Sequence, residues 1–334
     1  MSSTRRRWSL VSPTLGAAAW LAVPGLPVGR PPAFASIEHV FLLAPLVAAP
    51  LALDLLAVLL GGGGPAPRLQ QAARLGQPAA AAMVLASFLL PRGPAAGGLA
   101  AGWLLLAGLV AAGGGRIARL GAGVNLSNAS LLVAHLFLPV GAAWLLLSRL
   151  GVGPSSLAPA TVFYAALHFH FSGFTLQILV GATGRLLPAS CPRLGALHRL
   201  LAVGAVAGIP LIAAGNIAPS SVLKAVGVGC MVLSAMALAV TSTAVALQSR
   251  SRAARGLLLA SAASISAGMA VAGIYGLGEL TGSVWIGISR MVQIHGLVNA
   301  LGFTLCGLTA HLRLGRDPRG PGEARRAQGA WTPA

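Results

Sequence analysis

The sequence predicts an all-α protein, a polytopic bundle of about ten transmembrane helices. Three observations carry this. Hydrophobic residues make up 56% of the 334-residue chain and charged residues only 8%, where a soluble domain has about 25% charged. Mean hydropathy is +0.82. The arginines collect in alternate connections between apolar spans, as the positive-inside rule requires of a chain that threads a bilayer repeatedly.

The expected spans lie at about 12–28, 38–60, 78–90, 97–113, 126–147, 157–184, 195–214, 221–247, 256–278 and 285–311. The first, in RRRWSLVSPTLGAAAWLAV, has the charged start and apolar centre of a signal peptide, and Ala33-Phe34-Ala35 resembles a cleavage site. It is read as a retained helix; cleavage would leave nine helices and an external N-terminus. The second opens on Glu38 and His39, which suit a helix start and its dipole. It carries Asp54 deep within it. The third and fourth are shorter than the roughly 20 residues that cross a bilayer, and form either a tight hairpin or two half-helices. In the fifth, Asn128 and His135 share a face. The sixth carries His168 and His170 near its middle, and the next three are mainly apolar, with Lys224 left inside the eighth. The last carries Arg290, Gln293, His295 and Asn299. Residues 1–312 are therefore read as one membrane domain and 313–334 as a basic cytoplasmic tail, with disorder over 320–334.

The arginines test the number of spans. One side collects Arg5, Arg6 and Arg7, Arg68 and Arg74, Arg116 and Arg119, and Arg185, Arg193 and Arg199. It also holds Arg250, Arg252 and Arg255, and five more from Arg313 onward. The other side has only Arg30, Arg92 and Arg149. A missed helix would scramble every later connection. The rule places both termini in the cytoplasm. Ten helices also divide into two five-helix halves, which would be inverted repeats with His135 and His295 in corresponding helices.

The net charge of +18 does not indicate nucleic acid, because the arginines are dispersed among apolar spans. The implied partners are the lipid bilayer and a small molecule or ion. A homo-oligomer is compatible with the chain. Three cysteines, none close to another in sequence, argue against a disulfide framework or a cysteine-based zinc site. The glycine run at 61–64 lacks the GK[ST] of a phosphate loop, and no HExxH or Ser/His/Asp arrangement occurs.

Chemistry is carried by polar groups at depth. With about 1.5 Å of rise per residue, His168, His170, His295 and His135 all fall near the midplane. Histidine in hydrocarbon needs a partner or a purpose. His168 and His170 point about 200° apart on a regular helix, so both face one small ligand only if the helix is distorted. His170 shares a stripe with Gly173 and Gln177; His295 shares one with Asn299, Gly302 and Cys306. The expected substrate or proton path is His168, His170, Gln177, Arg290, Gln293, His295, Asn299, His135 and Asp54. Glu38 or Glu279 is the expected partner of Arg290, and Arg68, Arg185 or Arg199 that of Asp54. Arg290 would favour an anionic substrate.

Residues 166–188, ALHFHFSGFTLQILVGATGRLLP, and 293–303, QIHGLVNALGF, resemble the YndJ-like family of bacterial integral membrane proteins. A weaker echo lies at 37–55, IEHVFLLAPLVAAPLALDL. The resemblance implies a membrane helical bundle, and some members are labelled transporters without a defined substrate. The HFH element and the later single histidine also resemble haem-binding helices of the haem–copper oxidase type. Three functions compete: a proton- or ion-coupled transporter, with no cofactor; a redox protein holding haem or a transition metal through His170 and His295; and a scaffold in which the histidines only pack.

Overall fold

The structure, a computed structural model, describes residues 3–23, 37–60, 68–115, 117, 126–188 and 190–316. Ten long helices account for nearly all of these, and no strand occurs among them. They are α1 (Ser3–Ala22), α2 (Ile37–Leu60), α3 (Arg68–Leu89), α4 (Pro94–Gly113), α5 (Leu126–Leu150), α6 (Pro159–Gly184), α7 (Pro192–Ile217), α8 (Ser221–Gln248), α9 (Arg252–Thr281) and α10 (Ile288–Arg316). Among the described residues, the nine from α2 to α10 are long and apolar enough to cross a membrane.

The differences from expectation lie at the first helices and the last. The expected span 12–28 is instead a helix over Ser3–Ala22. That helix includes the arginine run, so its apolar part is too short to join the nine spans. The candidate cleavage site and the tail beyond Arg316 lie outside the described residues. The third span is not short: α3 runs for 22 residues and forms a hairpin with the 20-residue α4. Arg68 and Arg74 are therefore on a helix rather than in a connection. Hydropathy missed the first ten residues of α3 because they are polar, yet Gln70, Ala73 and Gln77 recur at helical spacing and are buried. α10 runs on to Arg316, past the expected boundary at 312.

α2 and α6 are the innermost helices. In each, more than 70% of the apolar window is buried inside the protein, against 33–50% in the other spans. α3, α4 and α5 pack in sequence on one side, and α7, α8 and α9 on the other. α10 closes the arrangement against α9 and α2.

Three of these helices contain π-helical segments: Ala44–Ala48 in α2, Phe169–Thr175 in α6 and Val298–Leu305 in α10. The three segments touch one another. They recur every fourth helix, a period that a division into two halves of five does not contain. π segments are rare and concentrate at functional sites. In α2 the chemical reason is legible. The Ala49 N–H bonds Ala44 O in the π register. The next such donor, to Pro45 O, would be residue 50, which is proline and has no N–H. Gln77 of α3 supplies the missing donor, Nε2 to Pro45 O at 2.7 Å, and Ser12 of α1 holds the other end of that amide at 2.9 Å. Replacing Gln77 by leucine leaves a carbonyl unpaired in the bundle interior. This is expected to lower stability by about 1–3 kcal/mol, read as a shift of the unfolding midpoint in detergent.

α1 lies directly on this π segment. A side chain on Gly16 would collide with the Leu46 carbonyl, so only glycine allows the approach. Trp20 Nε1 donates to His39 O at 2.8 Å, and the two rings stack at 4.2 Å.

Candidate functional site

The candidate site lies where the π segments of α6 and α10 meet. In α6, His168 is the last residue before its π segment and His170 is the second residue within it. The two imidazoles enter different surroundings. His170 is fully buried. Its Nδ1 bonds Ala166 O at 2.7 Å, its Nε2 accepts from Trp103 Nε1 of α4 at 2.7 Å, and Phe41 of α2 meets it edge-on at 5.1 Å. It is a packing element that ties α2, α4 and α6 together.

His168 instead lines a cavity of about 50 Å³. The other polar walls are Ser172 of α6 and His295, Asn299 and Thr304 of α10; Met231 of α8 and Met269 of α9 also line it. His295 and Asn299 stand one turn apart on α10 and share a face. His295 Nδ1 lies 2.9 Å from Gly268 O of α9, and the Asn299 amide lies 3.1 Å from the same ring nitrogen. Gly268 is required here, since a Cβ would sit 2.6 Å from the Asn299 amide. Asn299 Oδ1 is buried without a hydrogen-bond partner among the described residues.

The hydrogen-bond pattern sets the chemistry of the imidazoles. His168 Nδ1 bonds the carbonyl of Tyr164 at 2.8 Å, and His295 Nδ1 bonds that of Gly268. At His168 the carbonyl only accepts, so Nδ1 carries the hydrogen and Nε2 keeps its lone pair; His295 Nδ1 faces both an acceptor, Gly268 O, and a donor, Asn299 Nδ2, so either neutral tautomer has a partner there. No Asp, Glu, Lys or Arg lines the cavity. The site is thus neutral and rich in acceptors.

The other expected site residues are dispersed. His135 bonds Leu131 O at 2.7 Å and lines a separate space of about 10 Å³ beside Gln70. Gln177 is buried and donates to Ala205 O of α7 at 2.9 Å. Arg290 and Gln293 are exposed on the outer surface of α10 and do not line the cavity. The expected ion pairs are corrected. Asp54 pairs with Arg74 of α3, and with Arg316 of α10 at 3.6 Å, rather than with Arg68, Arg185 or Arg199. The reason is that α3 starts early and α10 ends late, which brings both guanidinium groups to the end of α2. Arg185 donates to Leu59 O and to Asn128 Oδ1, both at 2.6 Å. Glu279 pairs with Lys224 at 2.6 Å, not with Arg290. Glu38 makes no ion pair among the described residues, so the expected Arg290 pair is not formed through it either.

The residues do not fit a haem held by His170 and His295. Both ring nitrogens of His170 are committed inside the protein, and His170 does not line the cavity that His295 lines. Among the described residues, no three His, Cys, Asp or Glu side chains gather as a metal centre. Sequence reasoning missed Arg149, which is buried, and the two cavity methionines. Neither carries a local signal, because Arg149 stands at a span end and methionine is ordinary in an apolar run.

The model of a family described as YndJ-like protein matches residues 39–303, from α2 into the π segment of α10. The chain is 25% identical over 184 residues to the uncharacterized membrane protein YndJ of Bacillus subtilis (strain 168), a match that covers 54% of this chain and 32% of that protein. The match thus takes in about a third of the length of that curated relative. No solved structure matches.

Proposed function

The chain belongs to the YndJ-like protein family, and from that premise we propose that it is a transporter-like protein whose central cavity binds a small solute and couples its movement to a proton or cation. The observation that supports this is the cavity itself. It gathers His168, Ser172, His295, Asn299 and Thr304 between helices whose hydrogen bonding shifts to the π register at that level. Irregular backbone within a membrane is tolerated only where protein buries it or where it lines a cavity, and broken helices form the midplane sites of many transporters. His168 and His295 offer the cavity two neutral bases that are able to take up a proton as solute passes. With Arg290 outside, the cavity has no fixed cation to select an anion. The reading therefore moves from an anionic substrate to a cationic or hydrogen-bond-donating one. The arginine-rich connections argue for a bacterial cytoplasmic membrane with that side facing inward.

The test is proton flux into proteoliposomes loaded with a pH-sensitive dye and polarised by a potassium gradient. Wild-type protein is expected to carry a potential-dependent flux. His295→Gln keeps an amide donor toward Gly268 but removes the base, so its flux falls to that of protein-free vesicles. An unchanged flux in a variant with wild-type thermal stability overturns the reading.

A further inference from the structure

We propose that the solute of this cavity is a soft monovalent metal cation, Cu⁺, held by the two imidazoles and two thioethers that line it: His168, His295, Met231 and Met269. The proposal rests on the transporter-like reading of the same cavity and names its substrate class. These four side chains come from α6, α10, α8 and α9 and all line one space of about 50 Å³; Met231 also packs its thioether over Gly208 of α7. A single water needs about 10–15 Å³ in this measure, so the space suits a bare ion or a few waters rather than an organic metabolite.

The chemistry of the walls selects the ion. Thioether sulfur and imidazole nitrogen are soft to borderline donors that favour Cu⁺, whereas carboxylate and carbonyl oxygen favour hard cations. No carboxylate and no cysteine lines the cavity. A divalent ion would keep its full double charge in a low-dielectric site, and the cost of burying charge rises steeply with its size. A monovalent ion on neutral ligands leaves one unit. The His168 imidazole is already in the required tautomer. Its Nδ1 hydrogen goes to the Tyr164 carbonyl at 2.8 Å, which leaves Nε2 as the ligating atom, and His295 presents Nε2 in the same way when its Nδ1 donates to Gly268 O at 2.9 Å. This is the usual support of a metal-bound histidine. Binding needs no deprotonation and no change in oxidation state. Met231 and Met269 are both buried, so their sulfurs have no role in meeting lipid. Asn299, with its unpartnered Oδ1 beside His295, positions that ring and offers an oxygen at the rim of the site.

The test is anaerobic titration of the detergent-purified full chain with Cu⁺ in competition with bicinchoninate, followed by X-ray absorption at the copper edge. The expected result is one Cu⁺ per chain with a mixed nitrogen and sulfur shell. The double variant Met231→Leu/Met269→Leu preserves volume and apolarity. It is expected to lose affinity by about tenfold or more, as is His168→Gln/His295→Gln. Ag⁺ serves as a redox-inert probe and should compete for the same site. Failure to take Cu⁺ from the chelator overturns the proposal, as does a nitrogen-only shell with unchanged affinity in the methionine variant. The transport reading fails separately. A His295-dependent proton flux with no copper bound leaves the cavity function standing and removes the ion. Methionine-dependent copper binding without that flux keeps the metal site and removes the coupling.

Discussion

Arg149→Leu is expected to lower the stability of the folded protein by about 3 kcal/mol, the largest effect of any single charged residue here. The side chain is only 2% exposed. Its Nη2 donates to Ser87 O and to Leu90 O, both at 2.8 Å, and its Nε donates to Ser87 Oγ at 3.2 Å. The guanidinium lies 4.7 Å over the Phe88 ring. These carbonyls are at the C-terminal end of α3, where helical donors have run out and the dipole is negative. One cation therefore caps α3 from the last turn of α5. The Arg149 carbonyl meanwhile accepts from Gly93 N in the α3–α4 turn at 2.8 Å. Leucine fills much of the space but leaves two carbonyls and a hydroxyl without that donor. Hydrogen bonds to a charged group are each worth about 1.5–3 kcal/mol, and relief of the buried charge offsets part of their sum. Arg149→Lys keeps the charge without the fork and should fall between. Unfolding followed by circular dichroism in mixed detergent micelles reads the difference. A leucine variant with wild-type stability would show that the cap contributes nothing.

Trp103→Ala is expected to be comparably severe, about 3–5 kcal/mol. Trp103 is fully buried in α4 and stacks near His170, with ring centroids 6.0 Å apart. Removing the indole opens a cavity between α4 and α6 and strips the Trp103 donor from His170 Nε2. Within a membrane the transfer part of the loss is small, because lipid is as apolar as the core, so the packing part dominates. Trp103→Phe separates the two effects. It keeps a ring and loses only the N–H, and is expected to cost about 1–3 kcal/mol. Equal losses in both variants would assign the whole effect to the hydrogen bond. The same experiment bears on function, because His170 is held away from the cavity by this bond. Its loss should leave copper binding at His168 and His295 intact in the phenylalanine variant.

Much of the fold was legible before any coordinates. Hydropathy found each helix from α5 to α10, because each is apolar over most of its length. It shortened α3, whose first ten residues are polar but pack Gln70, Ala73 and Gln77 inward. It placed the first helix too late, because the arginine run reads as a flank and not as a helical turn. The histidine spacing in α6 correctly implied two opposed faces. The stretches that carried the family resemblance turned out to be α2, α6 and α10, the three helices with π segments. Nothing in a single sequence marks a π turn except, in α2, the proline at position 50.

The sequence was enough to give the class of the protein, its membrane setting and the two helices with polar groups at depth that line the proposed site. These follow from the free energy of each segment against lipid or water, which is a local property. Helix packing set which polar groups share a space. It sent His170 to Trp103 and His168 to His295, gave Asp54 to Arg74 and Arg316, left Arg290 outside, and brought two methionines to the cavity. Those pairings depend on helix length, rotation and crossing among segments far apart in the chain. Burial makes them obligatory, because a polar group in hydrocarbon must find its partner within the protein.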